Sequence, residues 1–142
     1  MLKYNRILAL DVGKKRTGLA QSDPMNIIAS PIGAFGQGEV LDKIRAIAQN
    51  NTITTFVVGW PVGQDGQLGA STEMVTQFVK RLEKAFPGIP VELMDERFTS
   101  VMAKQQLIAS GVKKKKRREK GLIDATAACI LLQEFLDQKT NT

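Results

Sequence analysis

The sequence predicts an α/β fold: one mixed five-stranded sheet, three antiparallel strands followed by βαβ units, with helices on both faces. Three observations predict it. Residues 5–11 hold a continuous apolar run, the pattern of a strand covered on both sides. Two more strand-like runs, 55–60 ("TFVVGW") and 90–96 ("PVELMDE"), each follow a segment with helical periodicity. Three strand candidates also crowd the first 30 residues, so only tight turns can join them, as in an antiparallel meander.

The elements follow in order. Strand one spans 5–11. "TGLAQS" (17–22) and "NIIAS" (26–30) are the next two strands, with Asp23-Pro24 as the turn between them. Gly36 and Gly38 mark a break. A helix is expected over 39–50, where Val40, Leu41, Ile44, Ile47 and Ala48 share one face. The strand 55–60 ends at Trp60-Pro61, and the glycine-rich loop "VGQDGQLG" follows at 62–69. Ser71 is the expected N-cap of a helix over 72–86, where Met74, Phe78, Leu82 and Phe86 recur every fourth residue and Pro87-Gly88 stops the run. After the strand 90–96, Thr99 or Ser100 caps a helix ended by Gly111, and 122–138 forms the last helix.

Composition narrows the function. A chain of 142 residues suits a single domain spanning 1–142. No apolar stretch reaches the ~18–20 residues of a membrane span, so no membrane partner is expected. The N-terminal apolar run is too short for a signal peptide, and Cys129 is the sole cysteine. Both point to a reducing cytoplasm. The chain has no histidine, which excludes Ser-His-Asp and Cys-His nucleophiles and histidine-ligated zinc. The net charge of +6 is local: "KKKKRREK" at 113–120 carries seven of the 20 cations, and the remainder holds 13 of each sign. A run of like charges is relieved by a polyanion, so nucleic acid is the expected partner, with a merely solvated loop as the alternative.

The acids complete the picture. Asp11 ends the first strand, directly before a glycine and the cations Lys14, Lys15 and Arg16. The pair Asp95 and Glu96 ends another strand, and alternation sends only one of the two to a given face. Asp124 lies on an apolar helical stripe with Ala127, Ala128, Leu131 and Phe135. A carboxylate there needs a partner. A cap or an ion pair with Arg97 is one solution, and a metal ion is the other. Carboxylates converging without histidine suit a hard cation, Mg²⁺ or Mn²⁺, and a pair of such ions serves phosphodiester hydrolysis. On this reading Asp11, Asp95, Glu96 and Asp124 are the candidate metal ligands. The cations at 14–16, together with Lys113, Lys114, Lys115, Lys116, Arg117, Arg118 and Lys120, hold nucleic-acid phosphates.

Four stretches, "LALDVGKKRTGLAQSD", "VVGWPVGQDGQLG", "MDERFTS" and "KGLIDATAACILLQEFL", resemble the YqgF/RuvX family in order and spacing. Its members are described as Holliday-junction-resolvase-like proteins and as candidate pre-16S rRNA nucleases. The resemblance implies a ribonuclease-H-like fold and an acidic catalytic triad, which falls on Asp11, Glu96 (in preference to Asp95) and Asp124. It further implies a metal-dependent nuclease that processes the 5′ end of pre-16S ribosomal RNA. The alternatives are resolution of branched four-way DNA junctions and RNA binding without catalysis. Monomer and homodimer both remain open. The chain departs from the pattern at Trp60, where a leucine is usual, and the strand 55–60 lacks the fourth acid common in resolvases. "DVGKKRTG" also looks like the first phosphate loop of the actin, Hsp70 and sugar-kinase group. That group closes two such domains over ATP.

Overall fold

The computed structural model describes residues 3–61, 70–95, 105, 109 and 120–140. Five strands form one sheet: β1 (Tyr4–Val12), β2 (Thr17–Ser22), β3 (Ala29–Phe35), β4 (Asn51–Trp60) and β5 (Val91–Asp95). Helices α1 (Gln37–Asn50), α2 (Ala70–Ala85) and α3 (Lys120–Thr140) complete the described elements. The strand order is β3-β2-β1-β4-β5. β1, β2 and β3 pair antiparallel, and β1, β4 and β5 run parallel. The mixed sheet expected from the sequence is therefore the one observed. The loop 62–69, the helix expected up to Gly111, Glu96 and the run 113–119 lie outside the described residues.

β1 is apolar at every position from Ile7 to Leu10 because both of its faces are covered. Leu8, Leu10 and Val12 join Leu19, Phe56 and Val58 beneath α1 and α2, with Val40, Ile44, Phe78 and Leu82. Ile7 and Ala9 join Ala20, Ala29 and Val57 beneath α3, with Ala128, Leu131, Leu132 and Phe135. The two layers differ in size. Large side chains fill the first. Alanines dominate the sheet side of the second, so α3 can lie close to the strands.

The connections explain most boundary shifts. β4 begins at Asn51, directly after α1, and not at residue 55. The Asn51 backbone N–H and its side-chain Nδ2 both donate to the Ile47 carbonyl, while Arg6 Nε donates to Asn51 Oδ1. This closes the helix without a loop. Ser71 is not the cap of α2 but lies inside it, since that helix already includes Ala70. α3 is longer at both ends than 122–138, which puts Asp124 after its first turn.

One expectation fails outright. Residues 26–28 are not strand. Asp23 captures them: its carboxylate accepts the N–H groups of Met25 (3.0 Å), Ile27 (2.6 Å) and Ile28 (2.7 Å). Asn26 takes a left-handed φ of 58°, and β3 starts only at Ala29. Side-chain capture of backbone donors is the competitor that strand propensity loses to here. Pro31 and a register shift beside Ala20 are tolerated because β3 is an edge strand.

Those hydrogen bonds, that of Ile28 first, hold the Asp23 carboxyl below its ordinary value. A depressed carboxyl contributes stability above its unfolded pKa of ~3.9, and loses it as pH falls through the lower folded value. Asp23→Asn should therefore flatten the acid limb of the stability–pH curve. Urea midpoints measured from pH 7 down to pH 2 check this.

Candidate active site

The upper edge of the sheet, at the carboxyl ends of the parallel strands, collects the chemistry. β1 and β2 meet there in a four-residue turn, and Val12 pairs with Thr17. Gly13 N–H donates to the Arg16 carbonyl at 3.0 Å. A Cβ on Gly13 would fall 2.6 Å from that oxygen, so the turn requires glycine. Lys14 and Lys15 project into solvent from the tip, and Arg16 is half-buried.

Asp11 pairs with Gly18 across the β1–β2 ladder. Directly opposed residues share a face. Asp11 therefore stands on the same face as Ile7 and Ala9, the face covered by α3. At Gly18 the helix touches the strand: a Cβ there would lie 2.0 Å from the Asp124 carbonyl oxygen and 3.1 Å from the Ala125 nitrogen. Backbone against backbone, this contact fixes Asp124 beside the rung that carries Asp11. The half-buried Asp124 carboxylate meets Arg16 Nε at 4.0 Å. Arg16 is thus an ion-pair partner of Asp124, Arg97 lies outside the described residues, and the position after the first turn excludes a capping role.

The other predicted residues fare differently. Asp95 pairs in parallel with Trp60, which packs into the α1/α2 layer, so its position belongs to the face opposite Asp11. Met94 packs into the α3 layer, in accord with that alternation. Among the described residues no group of three carboxylate, cysteine or histidine side chains gathers closely enough to hold a metal. Lys120 opens α3 at this same end of the helix. Glu96 and 113–118 lie outside the described residues.

Sequence reasoning missed two features. Gly18 was readable as a glycine inside a strand, a signal of close backbone approach. Glu134 was not singled out. Burial raises its carboxyl pKa, and the Asp95 charge adds to the effect. Thr17 Oγ1 is fully buried and has no hydrogen-bond partner among the described residues.

A family model described as "Holliday junction resolvase", RuvX, matches residues 5–138. The chain belongs to the RuvX family. It is 43% identical over 140 residues to a protein of Chlorobium phaeobacteroides, covering 99% of this chain and 97% of that one. It is 46% identical over 138 residues to one of Chlorobium luteolum, covering 97% and 98%. Both relatives carry the name "Putative pre-16S rRNA nuclease". Among solved structures the RuvX chain resembles Thermus thermophilus RuvC bound to a Holliday junction, with a TM-score of 0.54 over 98% of both chains. At 15% identity, that likeness establishes a shared RuvC-like fold. No helix among the described residues is long and apolar enough to cross a membrane.

The Gly18 contact predicts an asymmetry between two glycines. Gly18→Ala drives a Cβ into backbone that cannot rotate away, and should cost about 1–3 kcal/mol or more. Gly38→Ala points into open space in the first turn of α1 and should be neutral or stabilising by up to ~1 kcal/mol. Chemical denaturation of the two variants checks the pair.

Proposed function

We propose that this RuvX protein is a single-domain, metal-dependent nuclease that hydrolyses phosphodiester bonds in structured RNA, with precursor 16S ribosomal RNA as its substrate. The juxtaposition of Asp11 and Asp124 through Gly18, beside the cationic tip at 14–16, carries the reading. Glu96, preferred from the sequence over Asp95, is the third ligand in this reading, and the register sets the Asp95 position on the Trp60 face. Oxygen donors from separate elements, without histidine, fit Mg²⁺ or Mn²⁺. A bound divalent cation would supply a more acidic water and neutralise charge on the phosphate under attack.

The chain's own residues do the rest. Asp11 and Asp124 set where the cation sits, because both hang from backbone that the β1–β2 ladder and the Gly18 contact make rigid. Lys14 and Lys15 reach outward from the turn to flanking phosphates. The run 113–120, cationic in sequence, holds further backbone phosphates without reading bases. RNA is preferred because the relatives at 43% and 46% identity bear an rRNA nuclease name. The family model's description favours four-way DNA junctions as a second reading.

Two outcomes are expected. With Mg²⁺ the wild type should cut precursor rRNA to leave 5′-phosphate and 3′-hydroxyl ends, and Asp11→Asn should lose at least 100-fold in rate, on the order of the loss when one key electrostatic group is removed. A 2′,3′-cyclic phosphate at the product end would refute hydrolysis by water. Cutting of junctions with RNA untouched would transfer the assignment to DNA. Separately, neutralising Lys113, Lys114, Lys115 and Lys116 should flatten the dependence of log affinity on log salt by ~3–4, at about 0.7–0.9 per lost contact. Filter binding across a salt series reads this slope.

A further inference from the structure

Arg16 is expected to hold substrate phosphate with its two lysine neighbours, and in the structure it stands beside Asp124. Its guanidinium Nε lies 4.0 Å from Asp124 Oδ2, with the Arg16 side chain 38% exposed and that of Asp124 25% exposed. Both ends of this pair rest on fixed backbone. The Arg16 carbonyl is tied to Gly13 N–H at 3.0 Å, and the Asp124 backbone is pressed onto Gly18. Only the side chains are free to choose partners. The distance is the outer limit of an ion pair and the site is open to water, so the pairing is weak and readily exchanged.

We propose that Arg16 is a positioning residue that competes with the divalent cation for Asp124. In the metal-free protein its guanidinium offsets the Asp124 charge and keeps the half-buried carboxylate oriented toward the β1–β2 turn. A cation that takes the carboxylate releases the guanidinium. It then lies at the base of the same turn that carries Lys14 and Lys15, where its planar fork suits a phosphate. Metal loading and substrate grip are thereby coupled through one side chain. This inference rests on the assignment of Asp124 as a metal ligand.

The test is Mn²⁺ binding to the full chain without nucleic acid, followed by calorimetry or by the electron paramagnetic resonance signal of free Mn²⁺. Arg16→Gln should bind Mn²⁺ about two- to fivefold more tightly than wild type, the range expected for loss of a partly exposed ion pair. Arg16→Lys keeps the charge and should stay within about twofold of wild type. The advantage of Arg16→Gln should shrink toward none as salt rises to ~0.5 M, where exposed pairs are screened. It should also vanish in an Asp124→Asn background. Mn²⁺ affinity in Arg16→Gln equal to or below wild type, with Asp124→Asn still weakening binding, overturns the role of Arg16 alone. Asp124→Asn binding as wild type does would overturn both this role and the ligand assignment beneath it.

Discussion

The contact between Gly18 of β2 and the backbone of Asp124 is the constraint on which the rest of the site depends. A helix rarely approaches a strand so closely that no Cβ fits between them. Here the absent methyl is the means of approach. Gly18 is also the ladder partner of Asp11, so one rung fixes the strand acid and its neighbour fixes the helix acid. Neither carboxylate depends on a loop for its position, and rigid elements hold a reacting geometry better than loops do.

The two core layers serve this contact differently. Beneath α1 and α2, Phe56, Phe78, Leu8, Leu10 and Leu82 are fully or almost fully buried. Each such side chain contributes ~1.5–3 kcal/mol, so this layer supplies most of the anchoring. Beneath α3, Ala9, Ala20 and Ala128 are fully buried. They contribute less per residue but permit the short helix–sheet distance. Below them, Cys129 Sγ donates to the Ala29 carbonyl, and Gln133 bonds both Ala29 N–H and the Ile27 carbonyl. These bonds tie the middle of α3 to the start of β3, and with Gly18 they give the helix two separated points of attachment.

The sheet and its order were legible because burial on both faces writes a distinctive signal. Ile7 to Leu10 had to be a central strand, and the helical periods between later strands required parallel crossovers. Asp11 and Asp124 were legible as acids placed where acids are costly. What failed was decided by side chains acting on backbone. Nothing in the hydropathy of Asn26, Ile27 and Ile28 shows that Asp23 will take their amides, and Asn51 ends α1 by a bond that periodicity does not encode. The pairing of Arg16 with Asp124 was out of reach for a related reason: only the register that sets Gly18 beside α3 brings the β1–β2 turn to that carboxylate. Met94 in the α3 layer and Trp60, the partner of Asp95, in the other set the Asp95 position on the α1/α2 face, and Glu96 lies outside the described residues.

The central claim is geometric: Asp11 and Asp124 face one space. Thiolates at both positions offer the most direct measure. In a Cys129→Ser background, Asp11→Cys and Asp124→Cys are introduced singly and together, and Cd²⁺ is titrated while the sulfur-to-cadmium charge-transfer band is recorded. The account predicts that the double variant binds one Cd²⁺ per chain, with a band and an affinity well above the sum of the two single variants. A double variant that only adds the two weak single responses would place the side chains apart and contradict the site.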